Sequence, residues 1–169
     1  KSKNIFLCSD GTGNTTIKGR GTNVFKLYES IDVNGWKNAD RDIPKQIAVY
    51  DDGVGTDETL FENLLGGAFG FGLTRNVLDL YMKLARVYEP GDNIYLFGFS
   101  RGAYTVRLLA RLIEKCGIID RTKIANESDL LRTGRHAYRI LRLDFKAYCT
   151  NVTSQFTKRL TRTTESEKE

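Results

Sequence analysis

Three short apolar runs, each followed by a stretch with helical spacing, constrain this chain more than anything else in its sequence. "NIFLCSD" (4–10) is apolar and bounded by a turn signal, as a short buried strand is. "TNVFKLYESID" (22–32) places apolar residues at 24, 27, 28 and 31, the spacing of one helical face, behind a cap at Thr22 or Asn23. "KQIAVYDDG" (45–53) predicts a second strand ending in a turn. "TRNVLDLYMKLARVYE" (74–89) predicts an amphipathic helix with Val77, Leu80, Tyr81, Leu84 and Val87 or Tyr88 along one side, stopped by Pro90-Gly91. "NIYLFGF" (93–99) predicts a third strand, and "RGAYTVRLLARLIEKCG" (101–117) a third helix closed by Gly117. Strands joined by crossovers of this length pair in parallel with right-handed connections. The expected fold class is therefore α/β, a mostly parallel sheet with flanking helices.

The 169 residues suit one domain, and an apolar content of 40% with 28% charged residues is that of a globular protein. The expected boundaries are a domain over 1–150 and a polar, flexible tail over 151–169, where threonine and charge replace apolar residues. The run 128–148 reads as helical but less regular. The apolar stretch "LLGGAFGFGL" (64–73) is about half the roughly 18 residues a membrane span requires. With no basic-then-apolar leader, the expected location is cytoplasmic as made, and the opening Lys1 suggests a trimmed or processed N-terminus. Cys8, Cys116 and Cys149 have no zinc or redox spacing; Cys8 and Cys116 read as buried free thiols.

The net charge of +5 is unevenly placed. Residues 1–120 hold 15 basic and 15 acidic side chains, whereas residues 121–169 hold 11 and 6. A basic C-terminal region fits a membrane surface, or more simply a solvated helix face, and no nucleic-acid module accompanies it.

The chemistry-bearing motif is Gly98-Phe99-Ser100-Arg101-Gly102, a G-x-S-x-G between a predicted buried strand and a predicted helix. A nucleophile there sits on a sharp, strained turn, and side chains at Gly98 or Gly102 would collide with strand and helix. The Arg101 N–H, opening the helix, is the expected first donor to a developing oxyanion. A second donor is expected from "SDGTGN" (9–14), through the backbone N–H of Gly11 or Thr12. By spacing alone this loop equally reads as a phosphate-binding or plain turn. A structural serine in an ordinary tight turn is the alternative at Ser100.

Five ordered blocks, "DGTGN", "TNVFKL", "YDDGVGT", "GAFGFGLTRNVLDLY" and "YEPGDNIYLFGFSRGAYTVR", resemble an uncharacterised α/β-hydrolase domain family that includes phospholipase effectors of bacterial type VI secretion. The resemblance covers about residues 4–120. It implies an α/β-hydrolase-like fold and serine esterase or lipase activity with Ser100 as nucleophile, and so a lipid or other ester substrate, with delivery to another cell if the protein is a secretion effector. No cofactor and no metal are expected. In such relatives an aspartate at a later strand end, and a histidine after it, complete the triad. This chain shows neither stretch, and its single histidine, His136 in "RTGRHAYRI", is a weak candidate base with Asp129 and Asp144 nearby in sequence. The expectation is thus an N-terminal portion of the full fold, carrying nucleophile and oxyanion loop. The competing function is a catalytically incomplete domain of the same fold that binds rather than cleaves.

"YDDGVGT" (50–56) reads as an acidic turn at the site rim, with too few oxygen donors for a metal. "GGAFGFG" (66–72) lacks the G-K-[ST] of a phosphate loop and reads as a loop near the substrate entrance.

Overall fold

A computed structural model gives the fold and describes residues 2–11, 21–34, 44–52 and 71–166, with side chains for 72–146 of the last stretch. In chain order the described elements are β1 (Asn4–Ser9), α1 (Asn23–Ser30), β2 (Gln46–Asp51), α2 (Phe71–Val87), β3 (Asn93–Gly98), α3 (Arg101–Cys116), a 3-10 turn (Arg121–Lys123) and α4 (Glu127–Ser166). The described strands form one sheet in the order β2-β1-β3, and both pairings are parallel. β1 is central because its neighbours in sequence cross over on opposite sides of it.

Register makes the core. Ile5 aligns with Ile47 and Ile94, and Leu7 with Val49 and Leu96, so two apolar rows cross the sheet on one face. Ile5 and Leu7 have no exposed surface and pack with Val77, Leu80, Leu84, Leu109, Leu112 and Leu141. Helices α2, α3 and α4 thus share that face. On the opposite face Phe25 and Tyr28 of α1 lie against the Tyr50 ring, with centroids 5.5 and 5.2 Å apart. Further along, the Phe6 and Tyr95 rings stack at 4.9 Å, and Tyr95 stays 41% exposed.

Local chemistry sets the helix ends. The Thr22 hydroxyl accepts the Phe25 N–H at 3.1 Å, so Thr22 rather than Asn23 is the cap of α1. α3 ends at Gly117, whose N–H reaches the Ile113 carbonyl and whose φ of 73° then turns the chain out of the helix. α2 begins at Phe71, ahead of the predicted Thr74: Gly72 lowers the sequence's helical signal without interrupting the hydrogen-bond ladder.

The backbone of α4 is helical through Ser166 and so runs through most of the stretch 151–169 that the sequence sets apart as a polar tail. Residues 147–166 contain no glycine or proline, so nothing interrupts the helix once α4 is anchored on α2 and α3. The anchor is Leu130, Ala137, Tyr138 and Leu141, all buried. Asp144 adds ion pairs to Arg111 and Lys115, and Glu127 adds one to Arg86. These pairs are exposed and contribute little beyond orientation. Cys8 is buried and Cys116 only half-buried, its Sγ 3.5 Å from the Ala137 carbonyl; both are free thiols.

Leu7 lies at the centre of the three strands, and truncating it leaves a cavity that neighbouring β-strands cannot close. Leu7→Ala in the full-length protein is expected to lose about 2–5 kcal/mol of stability, read by urea denaturation. A loss under about 1 kcal/mol would mean that this strand is not the core.

Candidate active site

Parallel pairing brings the carboxyl ends of the three strands to one level. Ser9 aligns with Asp51 on one side and with Gly98 on the other. Ligands of open α/β sheets gather at this edge. Two more backbone bonds carry the ladder past the strand ends: Phe99 N–H donates to the Ser9 carbonyl at 3.1 Å, and Asp10 N–H to the Asp51 carbonyl at 2.8 Å.

Between β3 and α3 the chain must turn within one residue, and Ser100 makes the turn. Its φ is 52° and its ψ −122°, and among the described residues it is the one non-glycine with positive φ. Such backbone costs an L-residue about 1–3 kcal/mol and persists only where neighbours enforce it. Ser100 is exposed, and its side chain makes no capping bond to the helix that follows. Arg101 opens α3, the position at which helical N–H groups lack an intrahelical acceptor and the macrodipole is positive.

The two flanking glycines are sterically required. A Cβ at Gly98 would stand 2.5 Å from the Gly102 carbonyl oxygen and 2.6 Å from the Ala103 Cα. A Cβ at Gly102 would stand 2.0 Å from the Ser9 carbonyl oxygen. No rotation relieves a clash with backbone, so α3 can lie this close to β1 only with glycine there.

Beside the turn are two buried carboxylates that the sequence did not single out as functional. Asp10 has no exposed surface. Its Oδ1 accepts the Gly11 N–H at 2.8 Å, and its Oδ2 accepts the hydroxyls of Tyr50, at 2.8 Å, and of Thr22. Burial, and then the bond to Asp10, push the Tyr50 phenol well above its ordinary pKa, so it stays a donor. Asp51 accepts the Ser9 hydroxyl at 2.9 Å. Burial draws the Arg101 guanidinium below its usual range, and the Asp51 charge opposes that fall. The signal for Asp10 was visible only as an acid directly before a glycine at a strand end, which reads first as a turn residue.

The structure brings Ser100, Arg101, Gly98 and Gly102 together with Gly11 at the same sheet edge. The Gly11 N–H, however, is already engaged by Asp10. Thr12 and most of "GGAFGFG" lie outside the described residues, as do residues 53–56 of "YDDGVGT". No hydrogen bond joins His136 to Ser100 among the described residues. His136 is exposed on α4, in a cleft of about 320 Å³ whose described lining is Ser128, Leu131, Arg132, Arg135 and Arg139 of the same helix. Asp129 pairs with Arg132, and Asp144 with Arg111 and Lys115, so neither orients the imidazole. Among the described residues no cluster of three or more metal-ligating side chains occurs, and no helix is long and apolar enough to cross a membrane.

Comparison with known proteins places this geometry in a family. A yeast relative, "Uncharacterized protein YEL023C" of Saccharomyces cerevisiae, is 37% identical over 132 residues, covering 70% of this chain and 18% of the relative. The chain therefore spans under a fifth of the length of that curated relative. No solved structure matches. The family model described as "T6SS, Phospholipase effector Tle1-like, catalytic domain" matches residues 3–168, nearly the whole chain. The chain belongs to the Tle1-like phospholipase effector catalytic domain family, with an α/β fold.

Proposed function

We propose that this chain carries the nucleophile of a serine ester hydrolase acting on phospholipid, and that Ser100 is that nucleophile. The observation that carries the reading is the backbone of Ser100, strained at φ 52° on an exposed turn between the central layer of the sheet and a helix N-terminus. Strain maintained at one position, beside two glycines that permit nothing larger, points to a side chain held out for chemistry.

In the proposed reaction Ser100 Oγ attacks the acyl carbonyl carbon and yields its proton to a base. The carbonyl π electrons move onto oxygen, and that oxyanion accepts hydrogen bonds from the Arg101 N–H and from an amide of the loop after β1. With the Gly11 N–H committed to Asp10, Thr12 is the loop residue assigned the second donor. Collapse of the intermediate expels the alcohol and leaves an acyl-enzyme that water cleaves. No hydrogen bond joins His136 to Ser100 among the described residues, and the base and its orienting acid are assigned to residues other than His136, Asp129 and Asp144.

Family membership supports a lipid substrate, and a membrane surface is the proposed place where the protein meets it. Delivery to another cell suits the effectors named in the family description. It is separable from the chemistry, because the likeness extends to a yeast protein whereas type VI secretion is bacterial.

Two measurements on the full-length protein test this. A fluorophosphonate probe labels Ser100, and Ser100→Ala abolishes labelling and lowers kcat on a phospholipid or short-chain ester by about 10⁴-fold or more. A folded protein left unlabelled at Ser100 overturns the reading and favours the binding domain. Separately, Ser100→Gly relieves the positive-φ strain and is expected to raise stability by about 1 kcal/mol, while Ser100→Ala retains the strain and the wild-type Tm. Equal melting of both variants and wild type would mean that the turn is unstrained.

A further inference from the structure

The Asp10 carboxylate is a costly thing to bury, and its surroundings indicate what it does. A carboxylate without exposed surface needs donors on both oxygens. Asp10 has three, from three different parts of the fold: Gly11 N–H in its own loop, Tyr50 OH at the end of β2, and Thr22 OH at the cap of α1. Each donor is itself fixed. The Thr22 oxygen already accepts the Phe25 N–H, so its one hydrogen is directed to Asp10. The Tyr50 ring is held by Phe25 and Tyr28.

The same residue forms part of the surface on which the Ser100 turn rests. A Cβ at Gly102 would approach the Asp10 carbonyl oxygen to 2.7 Å as well as the Ser9 carbonyl oxygen to 2.0 Å. Backbone position at residues 9–11 therefore sets where α3 begins and how Ser100 is presented. Apolar side chains of similar volume would fill this space at no desolvation penalty, so a buried charge here is explained by geometry rather than by stability.

We infer that Asp10, clamped by Gly11, Thr22 and Tyr50, is a positioning residue that fixes the end of β1 against Gly102 and so holds Ser100 in register. The inference rests on Ser100 being the nucleophile. It assigns Asp10 no contact with substrate.

The test uses the full-length protein with a fluorophosphonate probe and a short-chain ester. Asp10→Asn keeps the side-chain volume and removes the charge. The expected result is a folded variant whose Ser100 labelling rate and kcat both fall on the order of 10- to 100-fold, the scale of a reactive group displaced by about an ångström. KM should stay within about twofold, because the ester-binding surface is untouched. Wild-type labelling and kcat in folded Asp10→Asn overturn the inference, and so does an effect confined to KM. If Asp10→Asn does not fold, Tyr50→Phe decides: it keeps the ring packing and removes one donor. A labelling rate at least about threefold below wild type supports the clamp, and an unchanged rate overturns it. Wild-type protein that is not labelled at Ser100 sinks the hydrolase reading and this inference together. Labelled wild type with an unaffected variant sinks this inference alone.

Discussion

The contact on which this structure depends is backbone against backbone: α3 begins so close to the end of β1 that Gly102 rests on the Ser9 carbonyl. A helix can approach a strand that closely only where a side chain is absent from the interface. Given this contact, β3 must hand over to α3 within a single residue, and that residue takes a backbone conformation disfavoured by its own Cβ. The strain at Ser100 is thus a consequence of helix placement. It is local, of the order of 1–3 kcal/mol, and small beside the burial of the apolar rows through Ile5 and Leu7 that hold sheet and helices together. Core packing on one level enforces an unfavourable dihedral on the next.

Electrostatics acts on the same few residues. Asp10 and Asp51 sit at adjacent strand ends, each receiving hydroxyl donors from a neighbouring element. The acids of α4 pair instead with exposed arginines and lysines. The molecule therefore separates two kinds of charge. Surface pairs orient α4 and contribute little energy, while the buried pair of carboxylates defines distances between β1, β2 and the start of α3.

The alternation of strand and helix was legible because hydrophobic period is a local signal, and the three strands and first three helices stand close to where the spacing put them. Gly117 and Pro90-Gly91 ended their helices for the stereochemical reasons read from their types. Three things were not legible. Helix α4 outruns its apolar face, and helix continuation without breakers looks the same in composition as a polar tail. The Asp10 clamp joins residues 12 and 40 positions apart, so no window along the chain contains it. Tyr50, read as part of a strand, owes its role to a hydroxyl that meets a partner only after β1 and β2 pair. The motif around Ser100 was visible as a pattern, but the clash that makes both glycines obligatory is a tertiary distance.

Under the proposed function, the same distances separate what the Ser100 turn requires from what a base would require. The Ser100 turn needs β1, β3, α3 and the brace at the end of β2, all of which are described here and in contact. An imidazole has no such requirement. It must only reach Oγ from the open side of the sheet edge, and any segment returning to that edge can supply it. His136 stands exposed on α4 beside Arg132, Arg135 and Arg139. A strained backbone needs many fixed neighbours, whereas a proton acceptor needs one hydrogen bond. The two halves of such a site can therefore reside in distant parts of a polypeptide, the first inseparable from the sheet and the second carried by a loop.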